Sequence, residues 1–377
     1  MVDISGKVLN YDIALCEAIF ENLHDNDHLI LFAANIGSSK RKFCFKKTLS
    51  LIPKSMQNSR NRIKRGVKAL EGIINYLYLI IYILLNRVNV LHLQWLPFLE
   101  ICLLEKKILK LIRFISPKTK IVLTVHNLYP HNFNDKQKVL YRKRFNEVKN
   151  LIDTFIVHLE CSKVEFCKQF GVSPEKVRIV HHGIFTPKNV EIVPHTCRDK
   201  INLIMYGMQS YYKGTDIFVS ALNLLPEKAK RKIHVTIVGK IDKAYYQNLK
   251  QQTENLNVEW IPHFVPDEVL NKKISESDLI ILPYREISQS GVLLLALFFE
   301  KMLIVSDLPS FKETLEGCSA NLFFESKNPQ SLCFRLLDLI ENVSSWDEYL
   351  LQLKKVKKRN LWETSARRTL CCYKEIV

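Results

Sequence analysis

Residues 201–214 read INLIMYGMQSYYKG, a short apolar run followed by a glycine, a polar loop and a Lys-Gly pair. A near-continuous apolar run of this length is typical of a strand in a parallel sheet that helices cover on both faces. Lys213 and Gly214 stand where the next helix would begin. The stretch therefore predicts a βα unit with a candidate ligand loop between its strand and its helix.

The same alternation of short apolar runs and longer helical stretches recurs along the chain. At 377 residues the chain exceeds what one hydrophobic core usually holds, so we predict two domains. The fold class is α/β, with two Rossmann-like doubly wound domains. Strands are predicted at 28–33, 88–93, 120–125, 154–157 and 177–180 in the first half, and at 201–206, 234–238, 258–260, 279–282 and 303–305 in the second.

Residues 185–200 are the best candidate for the linker between the domains. They contain two prolines and several polar residues, and they lack helical periodicity. We predict an N-terminal domain at 1–190, a C-terminal domain at 191–360 and a final helix at 361–377.

The chain is basic, with 55 Lys and Arg against 38 Asp and Glu and a formal net charge of +17. The segment 40–68, from Lys40 to Lys68, holds eleven basic residues and no acidic one. It predicts docking on an anionic membrane surface, and a solvated loop is the equal alternative. Nucleic acid is not an expected partner, because aromatic platforms are missing from this segment apart from Phe43 and Phe45.

Ten cysteines are scattered without a CxxC pair, zinc-site spacing is missing, and the amino terminus does not resemble a signal peptide. We therefore predict no metal site and a cytoplasmic location. The longest apolar run, residues 73–85, is shorter than the roughly 20 residues that a membrane-spanning helix needs. We predict a buried packing helix there, with an interfacial helix as the alternative.

Ligands of open α/β sheets bind outside the carboxyl ends of the strands, and two loops of the first half carry histidines there. His126 follows the strand at 120–125. Its imidazole could donate to a sugar hydroxyl or stabilise departing charge, or it could hold the backbone of a tight loop. His182 and Gly183 precede the linker, where a structural turn is at least as good an explanation.

Lys213 is the strongest single candidate of the second half. Gly207 and Gly214 flank it, and the amino terminus of the next helix gathers unpaired N–H groups. A lysine beside such a helix start suits a diphosphate. The alternative is a solvated surface lysine.

A second loop of this half, residues 282–292 (LPYREISQSGV), offers hydroxyls and N–H groups at another helix start. An ordinary N-cap explains Ser288 or Ser290 alone. Arg285 is predicted to neutralise charge with Lys213. The predicted donor-binding residues of the two loops are Gly207, Lys213, Gly214, Glu286, Gln289, Ser290, Gly291 and Val292.

Taken in order along the chain, these motifs resemble those of the retaining GT-B glycosyltransferases of family four, also called group 1. The motifs are TVH at 124–126, VH at 157–158, HG at 182–183, KG at 213–214, PYREISQSG at 283–291, VSDLPSFKE at 305–313 and WETSARRTL at 362–370.

The resemblance implies two domains that face each other across a cleft, and an enzyme that transfers a sugar with retention of configuration. It implies a UDP- or GDP-linked sugar held mainly by the second domain, and a glycan or polyprenyl-linked acceptor held by the first. No metal or other cofactor would be needed. The expected setting is bacterial surface polysaccharide synthesis, in the cytoplasm or at the inner face of the cell membrane.

The resemblance also implies a role for several residues. Lys213 matches the lysine that neutralises the donor diphosphate, and His126 matches a histidine beside the transferred sugar. Gln289, Ser290 and Gly291 match a segment that contacts phosphate or sugar. The helix that begins near Trp362 is expected to cross back onto the first domain.

The chain departs from the family pattern in its charged residues, and it also lacks the glycine usual near Glu300 and a glycine-rich loop at residues 1–10. Met208 occupies the place of a basic residue, so Arg285 is expected to supply that charge. Glu286 lies one position from the first of two family glutamates, and Leu295 replaces the second. The alternative function is therefore a noncatalytic nucleotide- or carbohydrate-binding protein of the same fold.

Overall fold

The computed structural model describes residues 1–24, 26–34, 41–50, 62–130, 133–187, 190–193, 200–287 and 289–377, with the backbone alone at 62–65. These residues form two compact units. Residues Met1–Gly183 and Trp362–Val377 make the first, and Ile184–Leu361 make the second. The division lies a few residues before the predicted boundary at 190. Part of the predicted linker lies outside the described residues.

The first unit contains a seven-stranded parallel sheet in the order β3-β2-β1-β4-β5-β6-β7. The strand order reverses between β1 and β4, which is the doubly wound arrangement. Its strands are β1 (Val2–Asp3), β2 (Ile30–Ala33), β3 (Cys44–Lys47), β4 (Val90–Leu93), β5 (Lys120–Thr124), β6 (Thr154–Val157) and β7 (Val177–Ile179). Its helices before the linker are α1 (Leu9–Phe20), α2 (Arg62–Leu85), α3 (Leu104–Ile115), α4 (Asp135–Asn146) and α5 (Glu160–Phe170).

The second unit contains a six-stranded parallel sheet in the order β10-β9-β8-β11-β12-β13. Leu279, Ile280, Ile281 and Leu282 of one central strand are fully buried, as expected for an apolar strand between two helical layers. The strands are β8 (Ile201–Tyr206), β9 (Ile233–Val238), β10 (Val258–Ile261), β11 (Leu279–Leu282), β12 (Met302–Ser306) and β13 (Phe323–Phe324). The helices are α6 (Thr215–Leu224), α7 (Glu227–Arg231), α8 (Lys243–Gln251), α9 (Asp267–Glu276), α10 (Gly291–Phe298), α11 (Pro309–Thr314), α12 (Pro329–Glu341) and α13 (Trp346–Arg359).

The final helix, α14 (Trp362–Ile376), packs in the first unit against α1, as the resemblance implied. The Trp362 ring lies against the rings of Tyr11 and His182, with centroids 5.2 Å away in both cases. A Cβ placed on Gly183 would come within 2.2 Å of Trp362, so only glycine allows this approach. The final helix therefore packs directly against the HG motif.

The apolar run 73–85 belongs to a longer helix than the sequence predicted. Helix α2 begins at Arg62, and its segment Gly66–Leu85 is long and apolar enough to cross a membrane by length and composition. Length alone therefore does not exclude a spanning position, because the helix extends beyond the thirteen-residue run on which the prediction was based. Core helices of soluble proteins meet the same criterion, and 33% of the most apolar window is buried.

The close contact between Gly183 and Trp362 predicts an effect on stability. Gly183→Ala should lower the free energy of unfolding by about 1–3 kcal/mol, because the methyl group displaces the Trp362 indole. Gly66→Ala is the matched control: a Cβ there meets no described heavy atom within 4 Å, and alanine favours a helix. Urea denaturation of both variants checks this. Equal midpoints would contradict the packing.

Candidate functional site

The loop after β8 holds Lys213 inside the second unit rather than in solvent. Its side chain is only 5% exposed, and its Nζ lies 5.2 Å from the centroid of the Tyr284 ring. Burial lowers the pKa of this ammonium to about 8. Among the described residues no carboxylate forms an ion pair with it. A buried ammonium in this situation favours an anionic ligand, so the alternative of a solvated lysine does not hold.

Two glycines give the loop the shape that brings Lys213 inward. Gly207 has φ of +91°, and a Cβ there would lie 2.8 Å from Lys213 Nζ. Gly214 has φ of +72°, and a Cβ there would lie 1.9 Å from the carbonyl oxygen of Pro283. Side chains at either position would push the loop away from its neighbours. The backbone conformation and the close neighbours therefore require glycine at both positions, 207 and 214.

Gln209 and Gly239 support this loop, and the sequence analysis did not single them out. Gln209 is buried, and its Nε2 donates to the carbonyl oxygen of Gly207 at 2.8 Å while its Oε1 accepts from Thr215 Oγ1 at 2.8 Å. A Cβ on Gly239 would lie 2.0 Å from the Gly207 carbonyl oxygen. The glycine directly after the apolar strand β9 was the available signal for the second of these residues.

The loop before α10 lies beside the Lys213 loop. A Cβ on Gly207 would also be 3.6 Å from Val292 Cγ2, and the Tyr206 hydroxyl donates to the Val292 carbonyl oxygen at 2.7 Å. Ser290 Oγ accepts from the backbone N–H of Leu293 at 3.1 Å, so Ser290 is an N-cap. The structure therefore brings Gly207, Lys213 and Val292 together, as the prediction of a single phosphate site requires.

Gln289 and Gly291 flank Ser290, the N-cap of α10. Gln289 Oε1 is buried and has no hydrogen-bond partner among the described residues. A Cβ on Gly291 would meet no heavy atom of the described residues within 4 Å. Ser288 lies outside the part of the chain that the structure describes. In the described part of the chain, the start of α10 thus has one unpaired side-chain oxygen and open space beside the Gly291 Cα.

Arg285 has a different place from the one that the sequence predicted. Its guanidinium donates to both carboxylate oxygens of Asp216, at 2.8 and 2.6 Å, and to the Tyr211 carbonyl oxygen at 2.7 Å. It also stacks 4.0 Å from the centroid of the Tyr211 ring. Its charge is already compensated by Asp216, so the expectation that Arg285 supplies free charge to the diphosphate is corrected. Arg285 instead holds the Lys213 loop against β11.

Met208, Glu286 and Leu295, which depart from the family pattern, do not replace the charged side chains that the pattern has at this site. Met208 and Glu286 are exposed. Leu295 is partly buried and packs against the hydrophobic core of the second unit. The aliphatic side chain at 295 is therefore part of the packing of α10.

In the first unit, His126 belongs to a cluster of aromatic and imidazole rings. The Tyr11 ring lies at its centre, with centroids 4.7 Å from His126, 5.4 Å from His158 and 4.9 Å from His182. Burial lowers the pKa of His126, and it lowers the pKa of His158 to about 4 and that of His182 to about 3. The cluster is therefore uncharged near neutral pH.

Hydrogen bonds determine which nitrogen of His126 carries the proton. His158 Nδ1 lies 2.9 Å from the Val180 carbonyl oxygen, which can only accept, so His158 Nδ1 is protonated and its Nε2 is an acceptor. His126 Nδ1 lies 3.2 Å from that Nε2 and must donate to it. The neutral His126 then carries its proton on Nδ1 and has an acceptor at Nε2.

The side-chain amide of Gln94 completes this network. His126 Nε2 is 3.0 Å from Gln94 Oε1, and His92 Nε2 is 3.4 Å from Gln94 Nε2. With an acceptor at His126 Nε2, the amide is turned by 180° and donates its NH₂ group there, since the two amide orientations occupy the same space. A sugar hydroxyl that approaches His126 Nε2 would take the place of this amide as the donor.

Among the described residues, no three His, Cys, Asp or Glu side chains form a group that could hold a metal ion. The ring nitrogens of these histidines instead form hydrogen bonds with protein groups. His92 Nε2, for example, lies 2.7 Å from Thr124 Oγ1.

Two family models match the chain. The model described as "Glycosyl transferases group 1" matches residues 200–342, and the one described as "Glycosyltransferase Family 4" matches residues 58–186. The first match contains the Lys213 and Gly291 loops, and the second contains the histidine cluster from His92 to His182. Together they cover well over half of the chain.

Two curated relatives from Xanthomonas campestris pv. campestris are each named GDP-mannose:glycolipid 4-beta-D-mannosyltransferase. They are 24% and 25% identical to this chain over 225 and 230 residues. The similarity covers 57% of this chain and 60% of each relative. The match thus spans about three fifths of the length of these relatives.

Solved structures resemble the chain over almost its whole length. A glycosyltransferase from Rickettsia africae ESF-5 has a TM-score of 0.69 at 18% identity, covering 100% of this chain and 97% of its own. Anabaena HepE in complex with UDP and glucose has a TM-score of 0.67 at 13% identity, with 99% and 98% covered. WaaG, a glycosyltransferase involved in lipopolysaccharide biosynthesis, has 0.62 at 12%, with 98% and 96% covered. These similarities confirm the predicted GT-B fold.

The buried ammonium predicts how binding of a nucleoside diphosphate depends on pH. A diphosphate binds the protonated form of Lys213, whose pKa is about 8 in the free protein. Affinity for UDP or GDP should be constant below pH 8 and should fall by up to about tenfold per pH unit above it. Calorimetry at several pH values measures this.

Two variants provide the controls. Lys213→Arg should remove the pH dependence because arginine stays protonated, and Lys272→Ala, at an exposed side chain of α9, should keep it. A Kd that does not change between pH 7 and 9 in the native protein would count against the assignment.

The hydrogen-bond network predicts the tautomers of His126 and His158. Both should be neutral and protonated on Nδ1 at pH 7, and His158 should remain so until the pH approaches about 4. Nitrogen chemical shifts of ¹⁵N-histidine-labelled protein report this directly. His158→Leu removes the acceptor for His126 Nδ1 and should shift the His126 signals, whereas a proton on His126 Nε2 in the native protein would contradict the network.

Proposed function

Because the chain belongs to the group 1 glycosyltransferases of the GT-B fold, we propose that it transfers a sugar from a nucleotide-sugar donor to a glycan or lipid-linked acceptor. At the level of the family, this membership confirms the prediction of a glycosyltransferase enzyme. The observation that carries the proposal is the buried ammonium of Lys213 between two glycines, beside the start of α10. An anion of the size of a diphosphate matches that arrangement.

The chemical step follows from these groups. The bond between the anomeric carbon and the leaving phosphate oxygen breaks, and the acceptor oxygen forms the new bond. The acceptor proton passes to the departing diphosphate. Lys213 and the backbone N–H groups at the start of α10 stabilise the charge that develops on this diphosphate. Arg285 and Gln209 act indirectly by holding the Lys213 loop in place.

The proposed substrates follow from the names of the relatives. HepE was solved with UDP and with UDP-glucose, and the Xanthomonas enzymes are named for GDP-mannose and a glycolipid. We therefore propose a UDP- or GDP-linked sugar as donor and a glycan or polyprenyl-linked molecule as acceptor. The role of WaaG in lipopolysaccharide biosynthesis supports a function in bacterial surface polysaccharide synthesis. The proposed location is the cytoplasm, with peripheral association at the inner face of the cell membrane.

Retention of configuration and independence of metal ions are also part of the proposal. The proposed route is the front-face one, in which the acceptor attacks from the side of the leaving diphosphate and no enzymic nucleophile takes part. The name of the Xanthomonas relatives supplies the competing outcome, a β-linked mannosyl product. From an α-linked donor, retention gives an α-glycoside and inversion gives a β-glycoside. The anomeric coupling constant of the product distinguishes them.

A noncatalytic binding protein is the second candidate function. Leu295 favours it, because this residue packs against the core where the family pattern has a glutamate. Such a protein would bind UDP or GDP with the same dependence on Lys213 but would not transfer sugar.

A transfer assay tests the proposed function. Radiolabelled UDP-glucose and GDP-mannose are offered with a synthetic polyprenyl-diphosphate sugar and, separately, with bacterial membranes as acceptors, with and without EDTA. We expect transfer from at least one donor that EDTA does not abolish. Lys213→Ala should reduce it by roughly 30- to 1,000-fold, since a buried charge partner is lost. Lys272→Ala should leave it unchanged.

Each outcome of this assay decides between the candidates. Nucleotide binding without transfer to either acceptor supports the noncatalytic protein. Equal transfer by the Lys213→Ala and Lys272→Ala variants would remove the basis of the proposed site.

A further inference from the structure

Helix α2 buries one apolar face in the core and exposes a second row of apolar side chains. Between positions 70 and 85, every exposed residue is large and apolar or aromatic. Glu71 and Asn75 lie on the buried side. The apolar face of α2, exposed by between 38% and 78%, consists of Leu70, Ile73, Ile74, Leu77, Tyr78, Ile81, Leu84 and Leu85.

These residues form one continuous stripe. They recur at intervals of three and four, which places them on the same side of a helix. At 1.5 Å per residue the stripe is about 22 Å long. Folded monomers rarely expose contiguous apolar patches of more than a few hundred Å², and larger ones mark a site of interaction.

The packing of the opposite side fixes the rotation of α2. Tyr76, Leu79 and Ile83 are buried in the core of the first unit. The Asn75 side chain accepts from the backbone N–H of Leu49 at 2.8 Å and donates to its carbonyl oxygen at 3.0 Å. The helix therefore cannot turn its apolar face inward without breaking both the core and these hydrogen bonds.

The neighbouring helix adds positive charge to this apolar surface. Helix α3 packs beside α2 and contains four basic residues, with its acidic residue, Glu105, buried. Its exposed side combines Lys107 and Lys110 with Leu111 and with Phe114, which is 84% exposed. A phenylalanine so exposed between lysines is typical of helices that lie in a lipid headgroup region.

We propose that the apolar face of α2, together with the exposed side of α3, docks the first unit in the plane of an anionic lipid bilayer. The inference names the surface for the peripheral membrane association proposed above and rests on that part of the proposed function. The sequence analysis assigned docking to the basic segment 40–68 and gave an interfacial helix as the alternative for the run 73–85, and the exposed face of α2 favours that alternative. Residues 40 and 51–61 of the basic segment lie outside the described residues, and residues 62–68 form the first turns of α2.

Charge and packing favour this occupant over the other candidates. A second copy seated on the same surface would bring Lys107 and Lys110 of both chains together, and like charges repel. A spanning position would require α2 to leave the core that holds Tyr76 and Asn75. An anionic bilayer offers an apolar layer for the α2 face and phosphates for the α3 lysines at once.

Vesicle flotation without donor or acceptor tests the inference. The full chain should float with vesicles of phosphatidylcholine and phosphatidylglycerol at low salt, and less at high salt or with phosphatidylcholine alone. The double substitution L77Q/I81Q should lower the partition coefficient roughly tenfold or more, since both residues are half exposed and would enter the apolar layer. K107Q/K110Q should lower it about fivefold per charge removed.

Leu224 and Leu351 provide the matched control, because they are 50% and 57% exposed in the second unit. L224Q/L351Q should bind vesicles like the native protein. Unchanged thermal unfolding midpoints and UDP affinity show that the variants are folded. Because flotation uses no sugar donor, its result is independent of whether the protein transfers sugar.

Three results would overturn the inference. The native protein could fail to float with anionic vesicles, or L77Q/I81Q could float as well as L224Q/L351Q. The third is a stable dimer in light scattering that L77Q/I81Q dissociates while vesicle binding is absent, which would assign the surface to a second copy. Loss of sugar transfer with intact flotation would instead count against the proposed enzyme alone.

Discussion

An ammonium group held away from water needs an anion nearby, and in this protein Lys213 is buried without a carboxylate partner among the described residues. Its surroundings are arranged around that constraint. Gly207 leaves room for the Nζ atom, and Gln209 holds the Gly207 carbonyl. The ion pair of Arg285 with Asp216 fixes the following turn. Below its pKa of about 8, the loop thus carries a positive charge that a bound anion would compensate.

The two units keep their buried titratable side chains in different charge states near pH 7. In the second unit the ammonium of Lys213 stays largely protonated near pH 7, because its pKa falls only to about 8. In the first unit, burial holds His158 and its neighbours neutral, and His126 is oriented by hydrogen bonds rather than by charge. A charged group suits a diphosphate, and a neutral imidazole suits a sugar hydroxyl. This division of chemistry agrees with the donor and acceptor roles that the family resemblance implies for the two domains.

Much of the fold could be predicted because most strands are continuous apolar runs. Those at 154–157, 201–206 and 279–282 agree with the structure residue for residue, while β1 and β13 are only two residues long and give no periodic signal. The KG loop was predictable from its glycines. The partner of Arg285 was not, since Asp216 lies 69 residues away and only the folded sheet brings the two together. The true length of α2 was hidden because basic residues occupy its first turns.

The packing of the last helix in the first unit also constrains how the chain can reach its folded state. Trp362 packs against Gly183 in the first unit, and the Tyr373 hydroxyl is hydrogen-bonded to His92. Both partners from the final helix follow the second unit in the chain, which is continuous from Ile184 to Leu361. The first unit can therefore be completed only after the second unit has been synthesised. A fragment that ends at the linker would expose the groove that α14 normally fills.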